Sequence, residues 1–245
     1  MKKFELTTDT KMFLGRKLFR IKALISFGNV RAGDMGGYIE KEENLSQYGN
    51  AWVSGNAWVY GDAEVSGDAK VSGDAKVYGN AWVYGNAKVY GDAKVYGDAK
   101  VYGNAWVYGD AKVYGDAKVY GNAKVYGNAW VSGNAKVYGD AEVSGDAKVS
   151  GDAKVYGNAK VYGNAWVYGN ADYATASGFG SECRTTTFFK LKNSDKIGVR
   201  CGCFYGTLKE FKEKVKETHG ESKKAKEYLM LADLMEYRFS EEKKA

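Results

Sequence analysis

From Gly49 to Tyr168 the chain is twenty consecutive hexapeptides of the form Gly-[Asn/Asp]-Ala-x-Val-[Tyr/Ser], with no insertion, and a twenty-first begins at Gly169. A period this short and strict leaves a solenoid as the expected outcome, because one six-residue unit cannot bury a hydrophobic face until neighbours stack on it. In Ala-x-Val-Tyr the alternation of a strand places Ala and Val on one face and x and Tyr on the other. Gly-Asn/Asp supplies the turn, since both residues tolerate a left-handed backbone. Small residues therefore point inward and large ones outward, as a narrow lumen requires.

Started from Val, the unit is Val-Tyr-Gly-[Asn/Asp]-Ala-x. It resembles the hexapeptide repeat of left-handed parallel β-helices. The resemblance implies three hexapeptides, or 18 residues, per triangular coil, nearly seven coils, and a prism roughly 30 Å long at a strand spacing of about 4.8 Å. Trp58, Trp82, Trp106 and Trp130 instead recur every 24 residues. On a three-sided coil they step from face to face, whereas a four-sided coil would stack them. The three-sided coil is the expectation, with the 24-residue spacing a trace of duplication.

Charge is distributed unevenly in a useful way. The net charge is +6, but the twenty repeats carry twelve Lys against ten Asp and two Glu and are neutral. A neutral prism is a poor match for a nucleic-acid backbone, where several phosphates need an unbalanced basic surface, so no nucleic-acid partner is expected along the solenoid. No apolar run approaches 18 residues, so no membrane span is expected. The first residues, MKKFELTTDTK, lack an apolar h-region. Three Cys make a disulfide framework an unlikely design, and a reducing cytoplasm is the simplest setting.

On 18-residue coils one face stacks Lys100, Lys118 and Lys136 beside Tyr102, Tyr120 and Tyr138. Such a row offers a flat aromatic and cationic platform for a glycan, an anion, a partner protein or another copy of the chain, as a dimer or trimer. The alternative is that Tyr stacks stabilise the sheet and Lys keeps it soluble.

The two ends depart from the repeat. Residues 3–6 and 17–25 alternate like strands, with Phe19, Ile21, Ala23 and Ile25 on the expected buried face. Gly33-Asp34 and Gly36-Gly37 mark turns, and counting back in sixes from Ala51 puts Leu45 and Ile39 at the Ala position. These large residues suit a first coil whose open end needs plugging. At the other end, residues 175–184 form a Gly- and Ser-containing connector. TTTFFKLK and IGVRCGCF are then two strands; a loop at Ser194 to Lys196 would put Ile197, Val199, Cys201 and Cys203 on one face with Leu191, Phe189 and Thr187. Thr207-Leu-Lys-Glu210 is a capping box opening a helix that ends at His219-Gly220, and a second helix runs from about Ser222 to Tyr237. The expected architecture is mainly β: a β cap over residues 1–36, the β-helix over 37–174, the connector over 175–184 and a ββαα unit over 185–245.

The segments GDMGGYIEKEENLSQYGNAWV, TTTFF, CGCFYGTLKEF and ETHGESKKAKEYL, together with the VYGNA/VYGDA array, are similar to phage and prophage hexapeptide-repeat proteins. The resemblance spans almost the whole chain. It implies a phage-encoded accessory protein acting in the bacterial cytoplasm on a host protein or a small ligand, and brings no established catalytic residues or cofactor.

Chemistry-bearing residues are few. Cys183, Cys201, Cys203 and His219 are the right types for zinc, but Cys-x-Cys on an apolar face reads more readily as buried structural thiols. A Cys203–His219 nucleophile pair has no orienting carboxylate at a telling spacing. Ser181, Arg184 and Arg200 could meet a polar or anionic ligand near the connector, and His219, the only histidine, sits where a protonated ring meets free helix carbonyls. Three functions remain: a non-enzymatic binding protein, an acyltransferase of the hexapeptide type, and a virion segment. The first is favoured, because the array has neither a His nor an inserted loop to carry acyl transfer.

Overall fold

The structure is a computed structural model that describes residues 1–179 and 184–240. Its centre is a parallel β-solenoid of about seven turns. Twenty two-residue strands, β4 (Trp52–Val53) through β23 (Trp166–Val167), stack into three sheets. Every pairing within the array joins residues 18 apart, for example Lys100↔Lys118 and Val101↔Val119. The coil is therefore three-sided, and the four-sided alternative is excluded. Trp58 and Trp130 lie on one sheet, Trp106 on the second and Trp82 on the third.

The lumen explains the repeat. Repeat residues such as Ala105, Val107, Ala123 and Val125 are 0% exposed, and they form one continuous core with the residues that close its two ends. Carbonyl and amide groups pair between successive coils, as in Lys100 N–H donating to Ala117 O at 2.9 Å. Glycine is needed at each corner for two reasons. Gly121 has a φ of 70°, and a Cβ there would lie 3.0 Å from Gly139 N in the next coil. Gly157 has a similar φ of 64° with nothing near it. Gly121→Ala should then cost about 1–3 kcal/mol more than Gly157→Ala, since only the former adds overpacking to left-handed strain. Equal losses in urea denaturation of the two variants would refute the stacking contribution.

The N-terminal end is closed by an antiparallel extension of one sheet: β1 (Phe4–Phe13), β2 (Arg16–Ala23) and β3 (Met35–Ile39), the last pairing in parallel with the coil strand Trp58–Val59. Three expectations are corrected here. Gly36 and Gly37 lie within β3 rather than in a turn. A Cβ on Gly36 would lie 2.5 Å from Ile21 Cγ1, so the glycine lets β3 press onto the lumen. The buried residues of β2 are Leu18, Ile21 and Ala23, because irregularities in both strand pairings interrupt the simple alternation that favoured Phe19. Ile39 and Leu45 sit opposite Val59 and Val65, not at the Ala position. Two additional residues between Leu45 and Val53 shift the register. The plugging role survives, since both side chains are buried in the lumen.

Lys3 completes this end. Its side chain is buried, and Nζ donates to Ala51 O at 2.9 Å, with Tyr48 O and Gly49 O at 3.5 Å. Burial pulls its pKa down to about 8. The ammonium thus serves backbone carbonyls that no earlier coil satisfies.

At the other end, the segment expected to be a connector is in part a strand. A four-stranded antiparallel sheet runs β24 (Tyr173–Phe179), β25 (Arg184–Lys190), β26 (Ile197–Cys201), β27 (Phe204–Thr207), followed by α1 (Leu208–His219) and α2 (Lys223–Phe239). The unit is thus ββββαα. The capping box forms as expected, Thr207 N–H donating to Glu210 Oε2 at 2.7 Å, and Gly220 ends α1 with φ 55°. The hairpin register differs by three residues from the expectation: Val199 pairs with Phe188 rather than Leu191, and Cys201 with Thr186 rather than Phe189. Because the difference is an odd number of residues, Phe188 rather than Phe189 shares the face of Val199. Phe188 joins Val199, Phe211 and Tyr228 under the helices, while Phe189 joins the solenoid core with Tyr173. The sheet is therefore a lid on the last coil. Lys160 N–H donates to Thr187 Oγ1 at 2.9 Å, Lys192 N–H to Asn164 O at 3.0 Å, and Tyr173 Oη to Lys154 O at 2.6 Å.

Candidate functional site: the outer ladders and grooves of the solenoid

The rows of outward residues form as the period demands, but they present different atoms from those expected. On the face of Lys100, Lys118 and Lys136, the rings of Tyr84, Tyr102, Tyr120 and Tyr138 stack at 4.9–5.0 Å, with interplanar angles of 1–3°. Each ring face inside the ladder is covered by the next ring. Only edges and hydroxyls reach solvent, so the flat aromatic platform is a row of phenol edges. Stacking also draws these phenols away from water. Burial, with neighbouring phenols second, raises the pKa of Tyr102, and burial is the chief cause for Tyr84 and Tyr120 as well.

Tryptophans serve the lysine rows. Lys112 and Lys148 place Nζ 4.5 and 4.3 Å from the Trp130 ring, and Lys88 and Lys100 lie 4.4 and 4.7 Å from Trp106 and Trp82. A tryptophan thus separates stacked ammoniums and binds them through its π face. Within the repeats every Trp follows an Asn two places before it, as Asn80 precedes Trp82 and Asn128 precedes Trp130. The corner amide donates to the corner oxygen one coil on, as in Asn80 Nδ2 to Asp98 Oδ1 at 2.9 Å and Asn128 Nδ2 to Asp146 Oδ1 at 3.0 Å. The uncharged corner residue is found before every Trp of the repeats and before four of the lysines, Lys88, Lys124, Lys136 and Lys160, whereas every corner Asp precedes a Lys or Glu.

Shallow grooves run along the faces between the corner row and the Lys/Trp row. One lies between Trp58 and Trp130, along Asp74, Asp92 and Asp110 on one side and Lys76, Lys94 and Lys112 on the other. A second, beside Trp82, contains Lys100, Lys118 and Lys136. The third is walled at one end. The Gly28–Val30 loop closes it, Phe27 sits edge-on to the buried Trp52 at 5.4 Å, and the ladder positions are Ser54 and Ser72 where most coils have Tyr. This leaves a notch of about 660 Å³ beside Lys70 and Lys88. No reading of the ladders from sequence singled out these residues; two consecutive Ser in one 18-residue row also occur at Ser132 and Ser150, so only the loop wall distinguishes this pair.

The C-terminal candidates do not converge. Ser181 and Cys183 lie outside the described residues. Arg184 begins β25, its guanidinium against the Gly202 turn. Arg200 donates to Cys203 O at 3.2 Å and lies 5.1 Å from the Tyr162 ring, bridging the lid to the last coil. Cys201 is half-buried with its sulfur accepting from Thr186 Oγ1 at 3.1 Å, while Cys203 is exposed in the turn, so the two thiols do not share the expected core face. His219 is half-buried in the last turn of α1, near-parallel to Tyr228 at 5.9 Å. Among the described residues no three His, Cys, Asp or Glu side chains cluster as a metal site would require. No helix among them is long and apolar enough to cross a membrane.

Residues 117–133 and 153–169 match the family described as YdcK beta solenoid repeat, each match covering nearly one coil. No curated protein matches the chain. The matched stretches together with the 18-residue pairing identify the chain as a repeat β-solenoid protein.

Proposed function

We propose that this protein acts by binding rather than by catalysis, with the solenoid as a rigid scaffold and a small polar or anionic ligand, or a host protein, as partner. The observation that carries this reading is the walled notch beside Lys70 and Lys88, a concave site that the Gly28–Val30 loop closes at one end of its groove. Ligand sites are concave, with a few placed polar groups, and this notch offers two ammoniums, the Ser54 and Ser72 hydroxyls and the Asn86 amide, with the Asp34 and Asp68 carboxylates also in its lining and already accepting from Arg31 N–H and from Asn50. The resemblance of the end motifs to phage and prophage proteins supports a phage-encoded accessory role in the bacterial cytoplasm, such as countering a host defence by sequestration.

The test is a thermal-shift and calorimetric screen against nucleotides, sugar phosphates, acyl-CoA and neutral glycans, using wild type and Ser72→Tyr. The substitution restores the repeat's usual residue and continues the row of Tyr90 and Tyr108, so the fold should lose less than about 0.5 kcal/mol. Binding of an anionic ligand should weaken at least about tenfold as the notch fills. Ligand stabilisation that is identical in both proteins would remove the notch from the proposal. Turnover of acyl-CoA would overturn the binding reading itself.

A further inference from the structure

Helix α2 is amphipathic on two sides. Ala225, Tyr228, Ala232 and Met235 are buried against the lid sheet and α1. On the opposite side Met230, Leu234 and Tyr237 are 71%, 56% and 80% exposed. Their spacing of four and then three residues puts them in one stripe along the helix, so they form a seam rather than scattered surface residues. Glu227 and Arg238 border one edge of this seam, and among the described residues neither has an ion-pair partner.

We propose that α2 is a self-association surface, on which two copies of the chain pair their α2 helices antiparallel about a two-fold axis. The choice of a second copy rests on charge and register. A two-fold axis perpendicular to both helices brings each edge of the seam against the same edge of its mate. Leu234 then meets Leu234, Met230 meets Tyr237, and Glu227 meets Arg238, twice over. The midpoints of these three pairings coincide within about two residues, or roughly 3 Å of helix rise, so one axis satisfies all of them. Asp233 falls near the axis, where two like charges would approach. Each is paired with its own Lys212, Nζ 2.8 Å from the carboxylate, an ammonium it shares with Glu236. A helix of 17 residues offers less than the roughly 1,600 Å² of a standard interface, which points to a weak, concentration-dependent dimer. This surface is remote in sequence from the ligand notch and does not depend on it.

Sedimentation equilibrium of the full chain, from micromolar to near-millimolar concentration, is the test. Wild type should shift reversibly from monomer to dimer. Leu234→Glu should raise the dimer Kd at least about tenfold, with an unchanged circular dichroism spectrum because the site is exposed. Glu227→Arg and Arg238→Glu should each weaken the dimer about threefold to tenfold, and the double reversal should return it to within about threefold of wild type. A wild type that stays monomeric throughout overturns the proposal, as does a dimer indifferent to Leu234→Glu. Failure of the double reversal to recover overturns the antiparallel pairing.

Discussion

Replacing Phe189 by Ala should remove about 3–5 kcal/mol of stability, the range for deleting a fully buried aromatic ring. The ring is 0% exposed and belongs to the solenoid core although it sits on a strand of the C-terminal sheet. It is the lid's deepest contact with the lumen, seated against Gly198, where a Cβ would collide with the ring. The loss should be local as well as large. Amide exchange in the last coil, where Lys160 N–H bonds Thr187 Oγ1, should accelerate far more than in the coils around Lys100. Tyr168, 66% exposed at the same end, is the control, and Tyr168→Ala should cost less than about 0.5 kcal/mol. A Phe189→Ala loss below about 1 kcal/mol would mean that the lid does not hold the solenoid end.

Alkaline pH should unfold the protein through its own ladders. Burial, reinforced by neighbouring phenols, pushes Tyr60 and Tyr108 up to about 12, and Tyr78, Tyr84, Tyr90, Tyr96, Tyr102, Tyr120 and Tyr126 are raised as well. In the unfolded chain these phenols titrate near 10. Between 10 and 12 the folded state keeps protons that the unfolded state gives up, so folding stability from these groups is complete below pH 10 and is lost as pH rises through 12. Circular dichroism followed with the tyrosinate absorbance should show ionisation and loss of β structure together in that window. A triple variant, Tyr84→Phe, Tyr102→Phe and Tyr120→Phe, keeps the stacked rings and deletes the ionisable hydroxyls. Its alkaline midpoint should rise by roughly a few tenths of a pH unit. An unchanged midpoint would show that the ladders do not drive the transition.

The two ends also show how differently local and non-local information is written. The capping box at Thr207 and Glu210, the stop at Gly220 and the helix from Ser222 were legible because each is a short-range hydrogen-bonding pattern within one turn. The hairpin register was not, because TTTFFKLK has apolar or small residues on both faces. A slip by any odd number of residues, here three, exchanges which of Phe188 and Phe189 shares the face of Val199, and both arrangements satisfy the alternation. Similarly, the strand β24 was hidden in residues rich in Ala, Ser, Thr and Gly, and only its pairing with β25 marks it as a strand.

The site readings divide the same way. The rows of Lys100, Lys118 and Lys136 beside Tyr102, Tyr120 and Tyr138 follow from an 18-residue coil by arithmetic. What those rows offer a ligand does not, because ring orientation is fixed by contact with the ring one coil away. The notch at Ser54 and Ser72 needed the Gly28–Val30 loop as its wall, and that loop is brought there by the N-terminal hairpin.

The sequence by itself determined the solenoid and its Ala/Val lumen, because a strict six-residue period puts the same small residues inward in every unit; the pairing of residues 18 apart then decided for three sides over four. Tertiary structure alone decided how the ends close. There the period stops, each end of the lumen must be plugged by side chains distant in sequence, and two additional residues before Val53 or a three-residue shift of hairpin register settle which large residue enters the core.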